Sequence, residues 1–455
     1  MEKRRQQLQQ LSQEELITSH LLLEDRVRTL EKQVSDLREL LSSKLAKTAQ
    51  NSSVPPGQSP KGNIEASAPA KRGPKKGHTG RSRARGATDE SIACHVGACS
   101  CCGTDLAGLV QHEVGRHQVI DIPRVPAIVR EVIRYGRYCP TCGSYQRASA
   151  PAGFETGRVF GANLAQTVLY LHYAHPLSYK RVQQIVADLY GLSMSEGALV
   201  NLVRGAQSAL QEAGEGIHQQ LQLATVIGCD ETGMRVAGSN YWQWVFQTPQ
   251  LAYFVMDRSR AAQVIANVMG ATSPEIWTSD VLSSQMCHPA QAYQICLAHQ
   301  VRDLQYALDA HSCDWANDMQ RLFYEVMVLG KQRESVADYR REVQLMNQRL
   351  DRLLAQYPTN EDSQRLWRRF RKHRAALLLF LARSDVPPTN NASEQALRNS
   401  VIYRKVTGGF RTDWGAELYA NVISILETAR RQGQNIFDTL AAILASQPAF
   451  SWQGE

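Results

Sequence analysis

Apolar residues recur at heptad spacing near the start of the chain: Leu16, Leu23, Leu30 and Leu37 form one seam, and Val27, Val34 and Leu41 the other. This predicts a leucine-zipper-like coiled coil over residues 1–45, with His20 as the polar exception. Leu at one core position and Val at the other favours a parallel homodimer, although a single amphipathic helix would carry the same stripe. The pattern stops over residues 46–90, where Ser, Pro, Gly, Lys and Arg predict a flexible linker. Alternation returns in VIDIP and IVREVIRYGRY, two candidate strands. From Gly161 to Leu210 the period becomes helical, with breaks near His175-Pro176 and Gly191-Leu192-Ser193. YKRVQQIVADLYGLSMSEGALVNLVRG therefore reads as helix, turn, helix, presenting the segment from Ser195 either to a DNA groove or to neighbouring helices.

Strand patterns dominate next. LQLATVIGCDETGMRV reads as a buried strand ending at Asp230 and Glu231, followed by strands in YWQWVFQTP and LAYFVMD. Trp242 and Trp244 share a strand face, which suits core packing. A helix follows from Ser259 to Met269. EIWTSD is then a short strand ending at Asp280, and YQICLAHQ a strand running into a helix. Residues 303–383 read as helical and carry RRFRKHR. After the breaker Val386-Pro387-Pro388-Thr389, NNASEQALRNSVIYRK starts another helix with Glu394 in its opening turns. This order implies an α/β or α+β sheet with ligands at strand ends.

Composition narrows the class. A chain of 455 residues, 43% hydrophobic and 21% charged, is neither one small module nor globally disordered. The longest apolar run, Ala375 to Ala382, falls far short of the roughly 18 residues of a membrane span. No apolar segment follows the basic N-terminus, so a cytoplasmic location with reduced cysteines is expected, and paired cysteines then point to metal before disulfides. The net charge of +8 is concentrated. Six Lys/Arg fall within residues 72–85, among them Lys75, Lys76, Arg81, Arg83 and Arg85. They suit a polyanion, each neutralising one phosphate, and a solubilising spacer would have the same composition.

Two CxxCG knuckles, Cys99 to Gly103 and Cys139 to Gly143, leave 36 residues between Cys102 and Cys139. Their spacing points to a zinc-finger site of four thiolates, Cys99, Cys102, Cys139 and Cys142, with Cys94, His95 and Cys101 as spare candidates. The acidic residues suggest a second metal centre. Asp230 and Asp280, each closing an apolar strand, would meet at one sheet edge and repel. A divalent cation such as Mg²⁺ would neutralise them, a third carboxylate is wanted, and an acid on the helix that opens with Glu394 could close the site. Glu231 should face away from Asp230 by strand alternation. His299 is either a supporting or phosphate-binding group or a packing residue. Arg398, Arg404, Lys405 and Arg411 suit DNA phosphates or a solvated helix face.

With these motifs in this order, the chain resembles the large transposases of the insertion-sequence group numbered sixty-six, bacterial DDE enzymes. The likeness runs through the zipper, the basic linker with GHTG, the knuckles, GCDETGMRV, CLAHQVRDL and NNASEQALR. It implies an RNase H-like catalytic domain over residues 221–302 and 384–455, interrupted by a helical insertion at 303–383. Ahead of it would lie a zinc-ribbon-like domain at 91–150 and a helical, candidate helix-turn-helix region at 151–220. It further implies that Asp230, Asp280 and Glu394 form a catalytic triad holding two Mg²⁺ or Mn²⁺ ions. Those ions would serve cleavage at the element's terminal inverted repeats and strand transfer into target DNA, with accessory proteins of the same element as further partners and a nucleoid-associated location. The chain departs from the group at Gln395, where arginine is usual, and at Val281, where glycine is common. A dimeric zinc-containing DNA-binding protein with an inactive site, or a metal-dependent nuclease, would use the same residues.

Overall fold

The computed structural model describes residues 83–445 and, of the N-terminal segment, His20, Leu23, Glu24 and residues 26–32. Most of the expected zipper and linker, including Lys75, Lys76 and Arg81, lies outside the described residues. Leu23, Val27 and Leu30 are helical and exposed.

The segment from residue 83 to β1 carries no helix or strand. Gly136–Tyr138 (β1) pairs antiparallel with Tyr145–Arg147 (β2). The strands expected in VIDIP and in most of IVREVIRYGRY do not form. Ile122 and Val129 are exposed there, and alternation becomes a strand only where a neighbouring strand takes up the backbone groups. Four helices follow: α1 (Ala162–Leu169), extended by a π-helical turn at Tyr170–Ala174, then α2 (Tyr179–Tyr190), α3 (Glu196–Gly205) and α4 (Gln207–Leu221). Ser178 and Ser195 cap α2 and α3 by accepting from the amides of Arg181 and Ala198. Their apolar faces, Val182 and Val186 on α2 and Leu199 and Val203 on α3, enter the largest core cluster.

The five-stranded sheet positions the chemistry. Its strands are β3 (Val226–Val236), β4 (Ser239–Gln247), β5 (Ala252–Asp257), β6 (Ile276–Ser279) and β7 (Ala292–Ile295), in the order β5-β4-β3-β6-β7. The β3–β4 and β4–β5 pairs are antiparallel, and the β3–β6 and β6–β7 pairs are parallel. The expected end of β3 at Asp230 and Glu231 is corrected here. The strand continues to Val236, because every residue from Gly228 onward has a partner on β4 and the chain reverses only at Ala237-Gly238, both at positive φ. Asp230 is therefore mid-strand.

Alternation assigns the two faces. Ile227, Cys229, Trp244, Phe246 and Trp277 pack under α5 (Ala262–Met269). Met234, Val236, Val245 and Phe254 face the other way, into the cluster shared with α11 (Asn391–Thr407), α12 (Asp413–Arg431) and α13 (Ile436–Leu444). Trp244 and Trp277 are fully buried, and at roughly 25 cal/mol per Å² each large indole stabilises the fold by about 4 kcal/mol or more. Between β7 and α11 lie α6 (Leu297–Ala310), α7 (Asp314–Lys331), α8 (Tyr339–Ala355), α9 (Glu361–Lys372) and α10 (Leu379–Ala382). The helices of this insertion share a core with the sheet edge, in which Trp315, Phe323, Leu366 and Phe370 join Ile276 of β6 and Ile295 of β7. Among the described residues no helix is long and apolar enough to cross a membrane.

The loop after α11 is tied to the end of β3. The amide of Phe410 donates to the Arg235 carbonyl at 2.8 Å, and the amide of Ala237 to the Phe410 carbonyl at 2.9 Å. Gly409 makes this approach possible, with φ of +109° and space for a Cβ only 2.4 Å from the Arg235 oxygen. Gly409→Ala is expected to destabilise the protein by about 1–3 kcal/mol, read as a lower denaturant midpoint. An unchanged midpoint would contradict this contact.

Candidate metal centre

Three acidic residues come from three elements. Asp230 sits in the middle of β3, Asp280 directly follows β6, and Glu394 lies in the first turn of α11. Because Gly228 is in register with Thr278 on the parallel neighbour, Asp230 and Asp280 each stand two residues further along adjacent strands. Asp230 pairs with Val245 and so shares the sheet face against which α11 packs.

The groups feel one another strongly. The Asp230 carboxyl is held well above the usual carboxylate range, first by burial and then by the charges of Asp280 and Glu231, with Glu394 adding in the same sense. Burial pushes Asp280 up to about 6, against the opposing pull of the Asn390 hydrogen bond and the Arg302 and Arg260 charges. Without a cation, burial therefore shifts both aspartates toward their protonated forms, Asp230 the more strongly.

His299, on the first turn of α6, stands between two of the acids. Its Nδ1 is 3.5 Å from Asp280 Oδ1 and its Nε2 is 3.5 Å from Glu394 Oε1. Burial foremost, then the Arg302 charge, lowers its pKa to about 4, which leaves the imidazole neutral near pH 7. Nδ1 is buried and, among the described residues, finds no hydrogen-bond partner. Arg302, one turn later, reaches Glu394 Oε1 at 3.2 Å. Ligand atoms of Asp280, Cys296 and His299 all lie within 4.8 Å of one another. Burial, followed by the Asp280 charge, pushes the Cys296 thiol up to about 12, and its Sγ accepts from the Asn390 amide at 3.1 Å. What remains is a set of hard oxygens and one unpartnered imidazole nitrogen, donors that fit a hard divalent cation.

Glu231 is turned away as alternation requires. It pairs across the ladder with Trp244 on the opposite face. Its Oε1 accepts from Arg260 at 2.8 and 2.6 Å, and its Oε2 accepts from Gln285 at 2.7 Å. The Arg260 guanidinium lies 4.5 Å above the Trp242 ring. Trp244 is core, whereas Trp242 is only half-buried beneath this cation.

Asn390 ties the acids together, and sequence reasoning missed it. It is 1% exposed. Its Nδ2 donates to the Cys229 carbonyl at 2.7 Å, next to Asp230, and approaches Asp280 Oδ1 at 3.5 Å. Its Oδ1 accepts from Ser393 Oγ at 2.7 Å, next to Glu394. An Asn immediately before a helix signals a cap, yet this side chain makes no cap hydrogen bond and crosses to β3 instead. Only the tertiary structure could reveal that use.

Val281 follows Asp280 with φ of +76°, a left-handed conformation costly for a β-branched residue. That backbone demand accounts for the glycine common at this position in the group the sequence resembles.

The other expected site residues are more dispersed. Each knuckle closes as a turn, with Gly103 N donating to the Cys99 carbonyl and Gly143 N to the Cys139 carbonyl, both at 2.9 Å. The Cys102 thiol is lowered to about 7, chiefly by hydrogen bonding to Thr104 and also by Cys99; Cys142 is lowered in the same way by Ser144 and Cys139. Among the described residues the two knuckles do not bring three ligand atoms within 4.8 Å of one another. Arg398 and Lys405 are exposed on α11, while Arg404 donates to the Gly233 carbonyl. Arg83 and Arg85 are exposed, and Arg85 donates to the Arg116 carbonyl at 2.5 Å.

The model of the Transposase IS66 family matches residues 157–418, more than half of the chain and all three acids. The chain belongs to this family. The cysteine knuckles and the N-terminal heptads fall outside the matched span. No curated protein matches the chain.

The Asn390 bridge makes a stability prediction. Asn390→Ala leaves the Cys229 carbonyl without its side-chain partner and is expected to cost about 1–3 kcal/mol. Asn390→Asp should cost more at pH 7 in metal-free buffer, because it adds a buried negative charge beside Asp280. Denaturant titration of both variants checks the order, and an Asp variant as stable as wild type would refute the bridge.

Proposed function

We propose that this transposase-family chain cleaves DNA at the ends of an insertion sequence and joins the exposed 3′ hydroxyl to target DNA, using a DDE triad of Asp230, Asp280 and Glu394 on an RNase H-like core. The observation that carries this reading is the convergence of three acids from β3, β6 and α11, with His299 spanning two of them. The strand order, three antiparallel strands followed by two parallel ones, supports the fold assignment.

The three carboxylates would hold two Mg²⁺ or Mn²⁺ ions. Bound there, such ions activate the attacking oxygen and stabilise the leaving one. The chain's own groups have distinct tasks. Asp230 and Asp280 present charge whose mutual repulsion a cation relieves. His299 keeps a neutral ring between Asp280 and Glu394, Arg302 holds the Glu394 carboxylate, and Asn390 fixes the spacing of the strands that bear the aspartates. Arg260 keeps Glu231 out of the site. Water first attacks the phosphodiester at the element end, and the released 3′ hydroxyl then attacks the target strand, so no covalent enzyme intermediate is required.

The remaining parts serve DNA and assembly in this reading. Cys99, Cys102, Cys139 and Cys142 would together hold one Zn²⁺ once the two knuckles meet, a reading supported by the lowered thiols of Cys102 and Cys142. The α2–α3 unit, the linker cations and the exposed Arg398 and Lys405 contact DNA, and the N-terminal heptads pair two copies.

Labelled element ends incubated with Mg²⁺ provide the test. Joined products are expected. Cleavage without joining would favour a nuclease, and retention of intact DNA a binding protein with an inactive site. Asp230→Asn, Asp280→Asn and Glu394→Gln should each reduce product formation by about 10³-fold or more, since each removes several kcal/mol of charge stabilisation, while DNA retention persists. Full activity in any one variant would reject that residue.

A further inference from the structure

The RRFRKHR segment falls on α9, inside the helical insertion, and has no part in the site described above. Its apolar residues Leu366 and Phe370 are fully buried. The opposite side exposes Arg365, Arg368, Arg371 and Lys372. The acids of this helix, Glu361 and Asp362, are confined to its first turn. Arg365 approaches Asp362 at 3.5 Å with half its side chain in solvent, a weak pair. Arg371 lies 4.6 Å above the Trp367 ring, and Arg368 and Lys372 have no carboxylate partner among the described residues. Adjoining helices differ: Arg349 pairs with Glu325, and Arg374 with Asp351. The local field is positive enough that the charges of Lys372 and Arg369 add to burial in lowering His373.

The position of this stripe gives it meaning. Arg369 leaves the exposed face and donates to Asp303 at 2.7 Å and to Gln300 at 3.0 Å, both on α6. The residue before Asp303 on the same helix is Arg302, which holds Glu394. One helix thus touches the acid cluster through His299 and Arg302 and α9 through Gln300 and Asp303, on adjacent faces. With helices about 10 Å across, the stripe lies within roughly 20 Å of the acids, about six base pairs at 3.4 Å per step.

We propose that the Arg365, Arg368, Arg371 and Lys372 face of α9 binds the phosphate backbone of duplex DNA beside the reacting position, making the insertion a docking surface as well as a scaffold. The four cations follow one face of a straight helix, as backbone contact without base reading requires. This rests on the reading of the chain as a DNA-acting enzyme, so the test measures binding rather than chemistry.

The full-length protein is titrated against a fluorescently labelled duplex by anisotropy, from about 50 to 200 mM salt. The quadruple variant Arg365→Gln, Arg368→Gln, Arg371→Gln, Lys372→Gln keeps good helix formers at every site. Its slope of log affinity against log salt is expected to be shallower by about 3–4 units. Arg340→Gln with Arg341→Gln, on the exposed start of α8, should leave the slope unchanged, as should Asp230→Asn. A quadruple variant with the wild-type slope, or a control with an equal loss, would overturn the proposal. Loss of strand joining in Asp230→Asn with its slope intact keeps the two readings separate.

Discussion

Like charge buried on one sheet face governs this structure. Asp230 and Asp280 occupy equivalent steps on neighbouring parallel strands; burial drives both toward their protonated forms, and the Asp280 charge pushes Asp230 further in the same direction. Ordinary folding pressure would replace such a pair with apolar residues, since uncompensated buried charge is expensive. The fold instead devotes supporting groups to it. Asn390 spans from β3 to the base of α11, Arg302 holds Glu394, and Arg260 pairs with Glu231, the further acid whose charge also bears on Asp230. In the proposed reading, a bound cation would compensate the charge that these groups hold in place.

The long-range architecture follows from that arrangement. The acids are supplied by a strand, a strand end and a helix far apart in the chain, so the helical insertion must fold as a unit without separating Glu394 from the sheet. It packs its apolar residues against β6 and β7 and returns the chain through Pro387 and Pro388, where the Leu297 amide donates to the Pro388 carbonyl at 3.0 Å. Entry to and exit from the insertion are thereby fastened together at the start of α6, beside Cys296 and His299. At the other end of α11 the Gly409 contact with Arg235 holds the helix along β3.

Much of this was legible in the chain. Apolar runs marked β3 to β7, and the proline breaker marked the start of α11, because strand burial and proline's missing donor act locally. Strand alternation assigned Asp230 and Glu231 to opposite faces. Other features were not legible, for physical reasons. The continuation of β3 past Glu231 depends on β4 as a partner, and VIDIP lacks such a partner, so similar patterns gave opposite outcomes. His299 was undecidable because its role depends on which carboxylates flank it. Asn390 resembled a helix cap, and only proximity of the Cys229 carbonyl redirects its side chain.

Locating the cation directly tests the central claim. Crystals of the full-length protein soaked in Mn²⁺ would be measured for anomalous scattering at the manganese edge. The account predicts peaks bounded by the carboxylates of Asp230, Asp280 and Glu394, and none there in Asp230→Asn crystals. Manganese bound only elsewhere, or an unaltered peak in the variant, would contradict it.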